Sequence, residues 1–225
     1  MKQISIAIDG PSGAGKSTLA RSAARELNYL YVDTGAIYRT VGYYIWKNGI
    51  DPKNGPAVVQ ALPALRIELR YGEDGLQHML LDGEDVTEEI RLPEVSLYAS
   101  TVSAHPGVRA YLLEMQRELA RTHDVVMDGR DIGTVVLPDA TMKIFLTASP
   151  EARARRRCAE LEERGTPEEY ESVLKEIRER DFRDTHRDTA PLRQAEDAVL
   201  LDTTELSFEE SRLALLELIR RRVRT

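Results

Sequence analysis

Apolar residues gather in five short runs along the chain, at about 4–8 (Ile4-Ser5-Ile6-Ala7-Ile8), 29–32, 124–127, 142–146 and 198–201. Runs of this length, bounded by charged and turn-forming residues, predict strands rather than helices. Between them the apolar spacing changes to the three-and-four pattern of amphipathic helices. Strands alternating with helices predict an α/β fold, a parallel sheet with helices on both faces. The last predicted helix, about 207–222, takes Phe208, Leu213, Leu215, Leu216, Leu218 and Ile219 as its apolar face. Ser207 and Glu210 form a capping box at its start, and Arg220, Arg221, Arg222 and Arg224 lie at the end where cations meet the helix dipole.

Residues 64–92 break this rhythm. Leu65-Arg66-Ile67-Glu68-Leu69-Arg70-Tyr71 alternates apolar and charged positions, Gly72-Glu73-Asp74-Gly75 turns, Leu76 to Leu81 follows, and Asp82-Gly83-Glu84-Asp85 turns again. Period-two alternation between such turns predicts a small antiparallel hairpin or three-stranded unit inserted in the α/β core. Pro93 opens a helical stretch over 94–104, His105-Pro106 interrupts it, and a second helix covers about 107–121. A helix beginning near Pro150 is broken at Gly165, and another runs from Pro167 to about Asp184.

Composition narrows the class. With 225 residues the chain can bury a full core. Its net charge of −7 argues against a body built to bind polyanions. No apolar run approaches the roughly 20 residues of a membrane span. The first strand starts at once, so no signal peptide is expected, and the single cysteine, Cys158, excludes an internal disulfide. A cytoplasmic protein is the expectation. Of the 31 basic residues 25 are arginine. Arginine's planar fork suits phosphate and carboxylate, although a solvated surface would carry many of them too.

The chemistry starts directly after the first strand. Residues 10–17, Gly-Pro-Ser-Gly-Ala-Gly-Lys-Ser, make a complete G-x-x-x-x-G-K-[ST] string between a strand and the helical pattern Thr18 to Leu27. That context marks a phosphate-binding loop. The loop's amides and the first helical turn would face the phosphates. Gly10, Pro11, Ser12, Gly13, Ala14, Gly15, Lys16, Ser17 and Thr18 are thus the expected ATP-binding stretch. Lys16 would reach the β- and γ-phosphates, and Ser17 would ligate Mg2+.

Three further clusters stand near predicted strand or helix ends. Thr34 and Arg39, after the second strand, offer a hydroxyl and a guanidinium to an acceptor phosphate. A helix cap with a surface arginine would give the same letters. Val125-Val126-Met127 leads into Asp128-Gly129-Arg130-Asp131. Asp128 suits the strand-end acid that organises Mg2+ or its waters, Arg130 can neutralise phosphate, and Asp131 can accept from an exocyclic amine or a hydroxyl. A structural turn with an internal ion pair is the rival. Arg153, Arg155, Arg156 and Arg157 occupy a helix on which 153 and 157 share a face by spacing. They could close as arginine fingers on a mobile lid, or form a salt-bridged surface helix. Another small-molecule phosphoryl acceptor fits these residues as well; a guanine-reading switch would need an N-K-x-D string, which the chain lacks.

Over nearly its whole length the chain resembles the bacterial cytidylate kinases, of the nucleoside monophosphate kinase superfamily of P-loop proteins. The likeness rests on Ile8 to Thr18, on Asp33-Thr34-Gly35-Ala36-Ile37-Tyr38-Arg39, on Asp128-Gly129-Arg130-Asp131-Ile132-Gly133-Thr134-Val135-Val136 and on Arg180-Asp181-Phe182-Arg183-Asp184. The third string is the most specific. The resemblance implies a single kinase unit over 1–225. Its core would be 1–33, 122–150 and 190–225, its monophosphate-binding region 34–121 with the β insert at about 64–92, and its helical lid about 151–189. It implies phosphorylation of CMP and dCMP by ATP with Mg2+, by a monomer that uses neither nucleic acid nor membrane. It places acceptor-phosphate contacts on Thr34, Arg39 and Arg130, cytosine reading on Ser100, Arg109 and Asp131, ribose reading on Asp184 and Arg187, and lid arginines on Arg153 and Arg157. With Lys16, Arg130 and these two lid arginines would act in catalysis, and Ser17 and Asp128 would attend the metal, the acid through water. Thr34 stands where serine is common in the family, Ser17 where some members carry glycine, and Arg155 makes the lid more basic.

Overall fold

The computed structural model describes residues 3–72 and 75–223. Its contacts divide the chain into two compact units, one formed by residues 1–31 and 122–225, the other by 32–121.

The first unit is built on a five-stranded sheet in the order β2-β6-β1-β7-β8, with β1 Ser5–Asp9, β2 Leu30–Asp33, β6 Val125–Gly129, β7 Met142–Thr147 and β8 Val199–Asp202. β2 begins in this unit and carries the chain into the other. β1 pairs in parallel with β6 and β7, and β7 with β8. Both neighbours and both faces cover β1, and all five of its residues are buried, as the apolar run requires. Helices α1 (Lys16–Leu27) and α8 (Phe208–Val223) pack together on one core built from Ile6, Ile8, Leu19, Ala23, Val126, Ile144, Leu215 and Ile219.

The predicted capping box forms at α8: Ser207 N–H donates to Glu210 Oε2 at 2.8 Å, and Glu210 N–H donates back to Ser207 Oγ at 3.3 Å. Two members of the expected apolar face do not join it. Leu213 is 54% exposed and Phe208 is 52% exposed. At about 100° per residue Leu213 points some 200° away from Leu215, and Phe208 is the first residue of the helix, beyond the core. Arg224 lies outside the described residues.

Helices α6 (Pro150–Glu163) and α7 (Tyr170–His186) form a hairpin with a small core of its own, Ala154, Leu161, Val173 and Leu174. Ser149 caps α6 by accepting from Ala152 N–H at 3.1 Å. α7 starts at Tyr170, three residues later than Pro167 suggested. Beyond β6 the Ile132–Val136 stretch winds as a short π-helix, which the sequence pattern did not anticipate.

The second unit holds α2 (Thr34–Lys47), α3 (Gly55–Ala61), α4 (Pro93–Val102) and α5 (Pro106–Thr122), with an antiparallel sheet of β3 (Ile67–Tyr71), β4 (Gln77–Leu81) and β5 (Glu84–Asp85). The insert is therefore three-stranded; Glu73 and Asp74 of its first turn lie outside the described residues. α2 and α4 cross closely at Gly42, where a β-carbon would come within 2.7 Å of the Ala99 nitrogen. Asp33 is the N-cap of α2, accepting from Ala36 N–H at 2.9 Å.

Candidate active site

The phosphate loop grows from the buried end of β1. Gly10 follows Asp9 with φ +152°, and a β-carbon there would sit 1.9 Å from the Leu146 carbonyl oxygen, so the backbone turns tightly against β7. α1 begins after Gly15 with no side chain capping its first amides, which leaves them to face an anion. Lys16 is buried and donates from Nζ to the Pro11 carbonyl at 2.7 Å. Burial pushes its pKa down to about 7. The charges of Arg130 and Arg180 act the same way, while those of Asp128 and Asp184 oppose them. Five charged groups from β6, the loop after it, α7 and the phosphate loop thus bear on one another, an arrangement suited to a polyanionic ligand.

Ser17, one residue on, donates its hydroxyl to Asp128 Oδ2 at 2.9 Å. The other oxygen, Oδ1, accepts from the Tyr31 hydroxyl at 2.8 Å. Asp128 and Tyr31 are both buried. A hydroxyl beside a fixed carboxylate is the hard-oxygen chemistry that Mg2+ favours. Among the described residues no group of three or more His, Cys, Asp and Glu could hold a metal by itself. An ion here would draw its other ligands from phosphate and water.

The arginines divide by environment. Arg130 donates from Nε to Asp184 Oδ2 at 2.8 Å. Burial raises the Asp184 pKa, but Arg130, Arg180 and Arg187 outweigh it and hold the carboxyl below its ordinary value. Arg187 donates from Nε to the Ala190 carbonyl at 2.8 Å. Arg153 and Arg157, expected on one face, differ sharply. Arg153 is buried, with its guanidinium on the Ala148 carbonyl (2.8 Å), the Ser12 carbonyl (3.0 Å) and both oxygens of Asp181. Arg157 is exposed and meets Glu160 at 3.3 Å. Arg155 is exposed too, whereas Arg156 turns to Thr203.

In the second unit Thr34 is buried at the first turn of α2. Arg39, a turn and a half on, donates to Asp33 Oδ2 at 2.9 Å, and its buried Nε has no acceptor among the described residues. Ser100 sits half-buried on α4. Arg109, near the start of α5, is buried; it donates to the Ser103 carbonyl at 3.3 Å and lies 5.4 Å above the Tyr38 ring.

Residues 6–221 match the cytidylate kinase family model. The chain belongs to the cytidylate kinase family. It is 53% identical over 218 residues to the cytidylate kinase of Caldicellulosiruptor bescii, covering 97% of this chain and 96% of that one. To the cytidylate kinase of Flavobacterium johnsoniae it is 49% identical over 223 residues, with 97% of each chain covered. A solved structure of an uncharacterized protein from Eubacterium ventriosum shares the fold, with a TM-score of 0.51 at 11% identity and 99% of each chain covered.

Every candidate residue, from Gly10 to Arg187, lies inside the stretch matched to the cytidylate kinases. Three buried or charged groups close to it escaped the sequence reading as functional: Asp9, Tyr31 and Arg180. An acid that ends a fully buried, mostly apolar strand was the available signal for Asp9. For Arg180 the signal was its place at the head of the Arg180–Asp184 string; for Tyr31 nothing in the local spacing separates it from a core residue.

Proposed function

We propose that this chain transfers the γ-phosphoryl group of ATP to CMP and to dCMP, giving the diphosphate and ADP. Full-length identity of about half to cytidylate kinases carries the reading. The phosphate loop with its buried Lys16 supports the donor half. In the reaction an oxygen of the acceptor phosphate forms a bond to the γ-phosphorus as the bond to the β,γ-bridging oxygen breaks, and ADP leaves. A monophosphate is already ionised near neutral pH, so no general base is required. Catalysis is then positioning and charge neutralisation.

Each residue has a part in this proposal. Lys16 and Arg130 stand against the transferring phosphoryl. The Ser17 hydroxyl and, through water, Asp128 would hold Mg2+, which would supply charge neutralisation on the ATP phosphates. Arg157, exposed on α6, is the lid arginine with reach; Arg153, fastened to the Ser12 carbonyl, steadies the phosphate loop. Thr34 and Arg39 join Arg130 on the acceptor phosphate, and the Arg39 Nε, which has no acceptor among the described residues, is a donor suited to that task. Asp131 accepts from the cytosine N4 amine while Ser100 and Arg109 donate to its acceptors; Asp184 and Arg187 hold the ribose. Uracil presents an acceptor to Asp131, a mismatch worth up to about 10⁴ in discrimination. The net charge of −7 fits work without nucleic acid. No helix among the described residues is long and apolar enough to cross a membrane. A cytoplasmic monomer is the working state we infer.

The test is a coupled assay of ADP release from ATP–Mg2+ across CMP, dCMP, UMP, AMP and GMP. CMP and dCMP should give the highest kcat/KM. Preferred turnover of another acceptor, or ATP hydrolysis that ignores the acceptor, overturns the proposal.

A further inference from the structure

Asp9 belongs neither to the phosphate loop nor to the acceptor residues, yet it is bound to both ends of the chemistry. It closes β1, and its carboxylate is buried. Oδ1 accepts from the Ile132 amide at 2.7 Å and Oδ2 from the Gly133 amide at 2.7 Å. Those amides open the π-helix directly after Arg130 and Asp131. One carboxylate therefore fastens the backbone that carries Asp131 to the residue from which the phosphate loop departs. Its surroundings are unfavourable to charge: burial and the nearby Asp131 carboxylate disfavour ionisation, and the two amides and Lys16 favour it. A neutral side chain could fill the same space without placing two acids side by side. The arrangement makes sense where the exact placement of the second acid matters.

We infer that Asp9 is a positioning residue for acceptor recognition: by clamping the Ile132 and Gly133 amides to the root of the phosphate loop, it aims the Asp131 carboxylate at the exocyclic amine of the base. This rests on the proposed transfer to CMP. Asparagine in its place has one acceptor oxygen and turns a donor toward the second amide, so one anchor is lost while size is kept.

The experiment compares wild type, Asp9→Asn and Gly133→Ala as full chains, with KM and kcat for CMP and UMP at saturating ATP and KM for ATP at saturating CMP. Asp9→Asn should raise the CMP KM about tenfold and lower the CMP/UMP preference severalfold, with the ATP KM moving less than about twofold. Folded Asp9→Asn enzyme with an unchanged CMP KM, or with both KM values rising together, overturns the inference. Should Asp9→Asn fail to fold, Gly133→Ala decides. Its β-carbon would press on the Lys143 side chain at 3.1 Å and come into contact with Asp9 Oδ2 at 3.4 Å, crowding the second anchor from both sides. A CMP-selective KM rise of about threefold upholds the inference, and wild-type constants refute it. Wild type that fails to turn over CMP sinks the proposed function, and this inference with it; an active wild type beside an unaffected variant sinks this inference alone.

Discussion

Lys16 is a charged group held where charge is costly, and Lys16→Met should expose that cost. The free amine of lysine titrates near 10.5, whereas burial, then Arg130 and Arg180, brings Lys16 to about 7. At 1.36 kcal/mol per pH unit the difference corresponds to about 5 kcal/mol at low pH and about 4 kcal/mol at pH 7. Methionine removes that burden and keeps the volume, but forfeits the 2.7 Å bond to the Pro11 carbonyl, worth about 1–2 kcal/mol. The ligand-free variant should therefore be more stable at pH 7 by about 2–3 kcal/mol, or about 5–10 °C in Tm for a chain of this size. Its phosphoryl transfer should fall by about a thousandfold, since the loop's one lysine is gone. The pH dependence has a definite sign. The unfolded chain keeps the lysine proton up to 10.5 and the folded chain releases it near 7, so wild-type stability gains on the variant as pH rises through that window. Melting curves without nucleotide at pH 7 and pH 9, beside CMP-dependent turnover, make the test. A variant that melts at or below the wild-type temperature, or keeps turnover within tenfold, refutes the reasoning.

Tyr31→Phe removes the 2.8 Å donor to Asp128 and should raise the Mg2+ concentration for half-maximal rate severalfold, at a stability cost of about 1–2 kcal/mol; an unaltered Mg2+ titration would detach Asp128 from the metal. Asp9 holds its proton to about pH 6 in the folded chain, against 3.8 unfolded, so its contribution lowers stability as pH rises through that interval, by up to about 3 kcal/mol. Urea midpoints of Asp9→Asn should lose that slope, and equal slopes in both proteins would contradict it. Gly10→Ala drives a β-carbon into the Leu146 carbonyl and should cost more than about 3 kcal/mol or abolish soluble protein; a wild-type melting temperature would deny the close approach.

What could be read from the sequence was local. The phosphate loop is contiguous, and its strand and helix follow within a few residues, so spacing alone exposes it. The Ser207–Glu210 capping box is equally local and forms as expected. The insert at 64–92 announced itself through period-two alternation, and its second turn, Asp82-Gly83, joins β4 to β5. The rest depends on partners far along the chain. The bonds from Asp9 to the Ile132 and Gly133 amides span more than 120 residues. Arg153 turns inward because the Ser12 and Ala148 carbonyls and Asp181 await it, a set no helical wheel contains. Leu213 departs for the opposite reason: a leucine in an amphipathic helix suggests the apolar side, yet its angular position turns it to solvent. The Ile132–Val136 π-helix has no propensity signature; the Asp9 carboxylate at its start is a tertiary cause.

The strand order also bears on how the protein is made. β1 is synthesised long before its sheet partners: Ser5 pairs with Val125 and Ile6 with Met142. Residues 32–121, by contrast, form a compact unit from one continuous stretch, free to collapse as it emerges. During translation the phosphate loop therefore exists as an unsupported, apolar-flanked segment until β6 and β7 have been synthesised. A nascent chain that stops before β6 lacks both strands between which β1 and the root of the phosphate loop are seated.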